Sequence, residues 1–122
     1  MKNILLIDDD EIVNFISKNA LTMAGFDRVN EAINGKDALD YLKNNDVDFI
    51  FLDINMPVMD GWEFLESIKN QGLCHQFKIA MLSSSSRSED RKKAMNYECV
   101  VTYFEKPLSL DKIDQIKEII ND

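Results

Sequence analysis

Residues 48–61 read Asp48-Phe49-Ile50-Phe51-Leu52-Asp53-Ile54-Asn55-Met56-Pro57-Val58-Met59-Asp60-Gly61: a nearly unbroken apolar run, then a lone carboxylate, then turn residues. The apolar part is too short for a helix and rich in aromatic and branched side chains, as expected of a strand buried on both faces of a parallel sheet. Pro57 and Gly61 stop that strand and open a new element. Asp53 is thereby placed at the strand's carboxyl end, where open α/β sheets bind their ligands. A carboxylate at the mouth of a sheet is not there for stability, so Asp53 is the first functional candidate.

On the N-terminal side, Ile4 to Ile7 forms a short apolar strand that runs into Asp8-Asp9-Asp10-Glu11. Ile12, Phe15, Ile16, Asn19, Ala20 and Met23 then recur at helical spacing, and Gly25 is suited to close the helix in the left-handed conformation. The acids in its first turn suit the helix dipole. Residues 27–32 are a more polar run, expected as an edge strand. Asn34-Gly35 turns the chain into a helix carrying Ala38, Leu39, Tyr41 and Leu42 and ending near Asn44-Asn45.

On the C-terminal side, Trp62, Phe64, Leu65 and Ile68 mark a helix over 61–70, with at least two of Trp62, Phe64 and Leu65 expected in the core. A buried strand over 77–82 ends at Ser83-Ser84-Ser85-Ser86, and a charged helix follows over about 88–95. Val100 to Phe104 is a fifth strand, Lys106-Pro107 follows it, and Leu110, Ile113, Ile116, Ile119 and Ile120 share one face of a last helix. Five βα units predict a doubly wound parallel sheet. With strand order 2-1-3-4-5, strands one and three are neighbours at the switch point and their carboxyl ends share one crevice.

The 122 residues suit a single domain, 1–122, of ordinary globular composition: 45% hydrophobic and 30% charged. The formal net charge of −8 argues against nucleic acid or an anionic membrane as direct partner and favours a cationic surface or a bound metal. No stretch is long and apolar enough to span a bilayer, and the N-terminus lacks the pattern of a signal peptide, so a cytoplasmic protein is expected. Cys74 and Cys99 lie far apart, with no CxxC spacing and no histidine cluster, and are expected as unpaired packing residues in a reducing compartment. His75, the one histidine, is expected in a solvated loop.

The predicted crevice collects acids. Asp8 and Asp9 leave strand one beside Asp53 from strand three, and at ~4 Å with an effective dielectric near 20 each like-charged pair costs on the order of 4 kcal/mol. Protons or a cation must offset that repulsion. A hard divalent ion with oxygen ligands fits best, and Mg²⁺ is the natural choice because it joins carboxylates to phosphate oxygens. Helix capping accounts for Asp10 and Glu11 but leaves Asp53 unexplained. Ser83 adds a hydroxyl at the end of strand four and Lys106 an ammonium just after strand five. A hydroxyl, two kinds of positive charge and a carboxylate able to form an acyl phosphate are what a phosphoryl group needs.

These residues carry a resemblance. Leu5-Leu6-Ile7-Asp8-Asp9, the run from Leu52 to Gly61, Ser83 and Lys106-Pro107 resemble the response-regulator receiver domain, in its single-domain, chemotaxis-type form, over essentially the whole chain. The resemblance implies a flavodoxin-like (βα)5 fold and a signalling switch rather than a conventional enzyme. It implies Asp53 as phospho-acceptor from a sensor histidine kinase or a histidine phosphotransfer protein, with slow self-catalysed loss of the phosphate. Mg²⁺ would be held by Asp8, Asp9, Asp53 and the backbone carbonyl of Asn55. Ser83 would bond a phosphoryl oxygen, Lys106 would pair with the group, and Tyr103 would swing inward with Ser83. The Lys106–Pro107 bond is expected to be cis. The output surface would be helix four, strand five and helix five, reaching a downstream protein from a monomer or a phosphorylation-dependent dimer.

Two departures accompany it. The spacing from Ser83 to Lys106 is one residue longer than the common family pattern, which makes Ser84 an alternative for the hydroxyl. Met95-Asn96-Tyr97-Glu98-Cys99 replaces the usual Gly-containing turn before strand five. The chain ends after the fifth helix, so no output domain is expected and the signal would leave through a noncovalent partner. A phosphatase of the haloacid-dehalogenase type, with Asp8 as nucleophile and Asp10 as acid/base, competes on the strand-one acids, but Ile12 stands where it predicts Thr or Val and a later acidic pair is missing. A receiver-shaped binding module that no longer accepts phosphate is the third reading; the intact acids, hydroxyl and lysine argue against it.

Overall fold

The chain alternates strand and helix five times in a computed structural model that describes residues 2–122. The elements are β1 (Ile4–Ile7), α1 (Glu11–Met23), β2 (Val29–Ala32), α2 (Gly35–Asn44), β3 (Phe49–Leu52), α3 (Gly61–Asn70), β4 (Lys78–Ser83), α4 (Ser88–Met95), β5 (Val100–Glu105) and α5 (Leu110–Asn121). The sheet is parallel in the order β2-β1-β3-β4-β5. β1 and β3 pair in register from Ile4↔Phe49 to Ile7↔Leu52, so Asp8 and Asp53 leave adjacent strand ends together. The polar β2 sits at an edge, where its alternation of buried ends and exposed Asn30 and Glu31 suits half-covered backbone.

β1 and β3 are apolar at every position, and β4 from Ile79 to Leu82, because both faces are covered. Leu5, Ile7, Ile50, Leu52, Ile79 and Met81 point to one side, where Ala38, Phe64, Leu65, Ile68 and Ala94 of α2, α3 and α4 meet them. Ile4, Leu6, Phe49, Phe51, Ala80 and Leu82 point to the other, against Leu21 of α1 and Ile113, Ile116 and Ile120 of α5. Residue-by-residue alternation of the two sets is the pleat made visible.

The helical spacing locates α1 but does not mark its inner face. The apolar residues that announce α1 are not the ones it buries: Ile12, Phe15 and Met23 are 71%, 65% and 74% exposed, whereas Asn14, Ser17 and Leu21 face the sheet. The helix is turned by polar contacts at its start. Asp10 caps it by accepting from the Ile12 N–H at 2.9 Å, and the Asn14 amide donates to the Asp8 carbonyl at 2.9 Å. A buried carbonyl needs a partner, and supplying one brings Asn14 inward and carries Ile12 and Phe15 out.

One sequence expectation is corrected, that of the cysteines as packing residues. Cys74, in the loop after α3, and Cys99, immediately before β5, are joined as a disulfide with their Cα atoms 4.9 Å apart. Sequence spacing rules detect cysteines that meet within one element; this pair meets because β3–β4 and β4–β5 pairing brings two separate loops to the same edge of the fold. No helix among the described residues is long and apolar enough to cross a membrane.

Candidate functional site

The site is assembled from the carboxyl ends of β1, β3, β4 and β5. The Asp8 N–H donates to the Ala32 carbonyl at 3.0 Å and the Asp53 N–H to the Ile7 carbonyl at 2.9 Å, so sheet hydrogen bonding continues one residue past each strand and sets both carboxylates. The loop after Asp53 is then forced back sharply: the Gly61 N–H donates to the Ile54 carbonyl at 2.8 Å, and a Cβ at Gly61 would overlap the Asp53 carbonyl oxygen. Only glycine allows that approach. Asp60 caps α3 through a capping box with Glu63. In the loop between Asp53 and Asp60, Val58 holds a left-handed φ of 68° and is 76% exposed, an unusual conformation for a β-branched residue.

Asp8 and Asp53 are buried, 3% and 5% exposed, and Asp9 lies at the surface. Each of the three offers a carboxylate oxygen within 4.8 Å of the others. Lys106 enters from β5: its Nζ is 2.8 Å from Asp8 Oδ2 and 3.4 Å from Asp53 Oδ2. The Asp8 contact is an ion pair without hydrogen-bond alignment, which leaves buried Asp8 Oδ2 lacking a hydrogen bond. Asp53 Oδ1 accepts from the Ile54 N–H at 2.9 Å.

Burial, followed by the charge of Asp8, pushes the Asp53 carboxyl up to about 6, against the opposing pull of Lys106 and of the Ile54 N–H. Burial also pulls the Lys106 ammonium down, but the close contact with Asp8 and the charges of Asp53 and Asp8 outweigh it and leave its pKa above the ordinary lysine value. Three carboxylates against one ammonium leave the hollow negative, with one buried oxygen unsatisfied. Hard oxygen donors in excess of positive charge fit a small divalent cation of the Mg²⁺ type. Asn55, whose carbonyl was expected to join them, lies exposed in the loop two residues beyond Asp53.

Ser83 is the last residue of β4 and fully buried; Ser84 is exposed. The Ser83 hydroxyl accepts from the Ser85 N–H at 3.2 Å. The extra residue between Ser83 and Lys106 is taken up in β5: Ile79 pairs with Val100 but Ala80 with Thr102, so Val101 bulges out and Ser83 still faces Glu105. The Lys106 N–H accordingly donates to the Ser83 carbonyl at 2.8 Å. Tyr103 is buried, with its hydroxyl donating to the Ser85 carbonyl at 2.8 Å and Arg91 of α4 stacked 5.1 Å from its ring centre. The Lys106–Pro107 bond is cis.

Two contributors escaped sequence reading. Lys112, in the first turn of α5, donates to the carbonyls of Glu105 and, at 2.8 Å, Pro107, clasping the loop on both sides of Lys106. Its only signal was a cation where the helix dipole disfavours one. Ser85 donates its hydroxyl to Asp90 at 2.6 Å, tying the β4–α4 loop to a helix whose N-cap, Arg87, makes no side-chain cap bond; four consecutive serines hid which one does this. His75 is exposed in a loop, and of the helix α3 residues Phe64, Leu65 and Ile68 are buried while Trp62 is partly covered.

A doubly wound, flavodoxin-like domain with carboxylates, a buried hydroxyl and a lysine at its switch point is thus defined. The chain belongs to the response-regulator receiver domain family, whose model matches residues 4–118; such domains are switches of two-component phosphorelay signalling, not conventional enzymes. It is 33% identical over 119 residues to the chemotaxis protein CheY-3 of Vibrio cholerae, spanning 94% of this chain and 91% of that protein. It is similar to the crystal structure of a two-component response regulator from Cytophaga hutchinsonii, with TM-score 0.91, 29% identity and coverage of 100% and 98% of the two chains. It is also similar to a chain of the CheX-CheY-BeF3-Mg complex from Borrelia burgdorferi, with TM-score 0.86, 26% identity and coverage of 99% and 90%.

Proposed function

We propose that this protein accepts a phosphoryl group on Asp53 from the phosphohistidine of a sensor histidine kinase or histidine phosphotransfer protein, in the cytoplasm, and signals through the surface of α4, β5 and α5 to a downstream protein. The observation that carries the reading is Asp53 itself, a buried carboxylate beside Asp8 and Lys106 with its pKa pushed up to about 6. A carboxylate oxygen forms the new P–O bond while the P–N bond of the donor breaks and its electron pair returns to the imidazole. Lys106 and the Ser83 hydroxyl would donate to phosphoryl oxygens, and Lys112, which donates to the carbonyls of Glu105 and Pro107, supports this role by holding the backbone around Lys106.

Asp8, Asp9, Asp53 and the Asn55 carbonyl would hold Mg²⁺, whose charge would offset the carboxylates and the incoming phosphoryl group. Tyr103 and Ser83 meet at Ser85, the residue that accepts from the Tyr103 hydroxyl and donates to the Ser83 hydroxyl, which supports a shared movement when a phosphoryl oxygen competes for Ser83. Val58, Ile12 and Phe15 expose apolar surface on segments that adjoin the acidic hollow, suited to contact with a kinase. A phosphatase using Asp10 as acid/base is disfavoured, since Asp10 spends its carboxylate capping α1.

Incubation with acetyl phosphate and Mg²⁺, followed by mapping of the modified residue by mass spectrometry, tests the reading. Label on Asp53 that disappears in Asp53→Asn is expected; label on Asp8, or none, would overturn it. Lys106→Ala is expected to retain some labelling while losing the downstream response.

A further inference from the structure

The disulfide lies on the opposite side of the chemistry, at the amino ends of β4 and β5. Its two cysteines are brought together by backbone on either side of them. The Ile79 N–H donates to the Cys99 carbonyl at 2.7 Å and the Val100 N–H to the Tyr97 carbonyl at 3.1 Å; around Cys74, the Leu73 N–H donates to the Ile68 carbonyl and the Gln76 N–H to the Leu73 carbonyl, both at 3.0 Å. Sheet and turns therefore hold the Cα atoms 4.9 Å apart, inside the roughly 4.4–6.8 Å that a disulfide spans without backbone movement. Breaking the bond leaves the two thiols facing each other.

The two sulfurs differ in access. Cys99 is 3% exposed, whereas Cys74 is partly exposed and lines a cleft of about 340 Å³ with Lys69, His75, Tyr97 and Glu98. That cleft has room for a small thiol and presents both a cation and a carboxylate to a zwitterionic one. We propose that Cys74 and Cys99 form a reversible dithiol–disulfide couple that exchanges with a low-molecular-weight thiol of the glutathione class through this cleft, and that its oxidised form clamps the turn between α4 and β5.

In the oxidising direction the Cys74 thiolate attacks one sulfur of the small disulfide, forming a mixed disulfide and expelling one small thiolate. The Cys99 thiolate then attacks the Cys74 sulfur, the mixed bond breaks and the second small thiolate leaves. Two electrons pass from the pair to the small disulfide, and the two protons of the pair end on the two small thiols. The exposed sulfur takes the first step and the buried one resolves it.

The clamp acts where the fold is lightly held. Of the described residues of α4 only Ala94 is buried. The helix and the turn after it are tied to α3 by Lys93, 4.3 Å from the Trp62 ring centre, and by the Tyr97 hydroxyl, which donates to Glu66 at 2.8 Å. The disulfide adds a covalent tie from this turn to the loop following α3, one residue before the strand that bears Tyr103.

The test equilibrates the full chain across ratios of reduced to oxidised glutathione, traps free thiols by alkylation and reads intact mass, with amide hydrogen exchange on both end states. A single reversible transition is expected, with Cys99→Ser collecting one glutathione at Cys74 and Cys74→Ser leaving Cys99 unmodified. Exchange over residues 95–99 is expected to slow by about tenfold on oxidation. Thiols that stay reduced in excess oxidised glutathione, a disulfide that forms only in denaturant or resists reduction in the native protein, an adduct on Cys99 instead of Cys74, or equal exchange in both states would each overturn the proposal. Acetyl phosphate labelling of Asp53 is read separately, so failure of this couple is distinguishable from failure of the phosphorylation reading.

Discussion

Asp53 carries a cost that pH exposes. Its folded pKa of about 6 lies above the ordinary 3.8, so the folded state holds the proton more tightly than the unfolded chain. That proton-linked stability is fully present below about pH 3.8 and is lost as pH rises through about 6. The gap corresponds to roughly 3 kcal/mol at most. Asp53→Asn removes the titrating charge and keeps the shape, so without divalent cations it is expected to be more stable than the parent by about 1–3 kcal/mol at pH 8. The advantage should shrink to nothing by about pH 4, in urea unfolding midpoints measured across that range. An advantage that persists undiminished at low pH would show that burial and Asp8 are not its cause. The residue types were legible from sequence: Asp8, Asp9, Asp53, Ser83 and Lys106 each end a strand or follow one. Lys112 was not, because its targets are two backbone carbonyls whose position no side-chain pattern records.

α1 shows what periodicity can and cannot say. The spacing of Ile12, Phe15, Ile16 and Met23 located a helix correctly but described its outer face, and the inner one is led by Asn14, Ser17 and Leu21. Leu21→Ala is expected to cost about 2–5 kcal/mol, whereas Phe15→Ala should change the unfolding free energy by less than about 0.5 kcal/mol. Comparable losses in urea titrations of the two variants would return Phe15 to the core. In β5 the converse held. A spacing that left Ser83 and Ser84 both eligible is explained by the bulge at Val101, which restores the pairing of Ser83 with Glu105. A bulge of this kind leaves no mark in composition, since Val101 is as good a strand residue as its neighbours.

Across the whole molecule the acidic hollow exists only when β1 and β3 are paired, because Asp8 and Asp53 belong to separate βα units. An ion that needs both binds the folded state alone. Mg²⁺ at about 100 times its dissociation constant is expected to raise the unfolding free energy by roughly 2.7 kcal/mol, and Asp9→Asn or Asp53→Asn should reduce that gain. Thermal unfolding with Mg²⁺, with chelator, and with sodium chloride at matched ionic strength checks it. An equal rise from sodium chloride would assign the effect to screening of the net charge of −8 instead.

The amino-acid sequence by itself determined the alternation of elements, the two-sided burial of β3 and the residues at the strand ends, because pleat, helical period and turn chemistry are local and repeat along the chain. Tertiary structure alone decided which face of α1 turns inward, that Cys74 meets Cys99, and how far Lys106 stands from Asp8 and Asp53. Each of those depends on segments remote in sequence, brought side by side by strand pairing and by the need of buried backbone groups for partners.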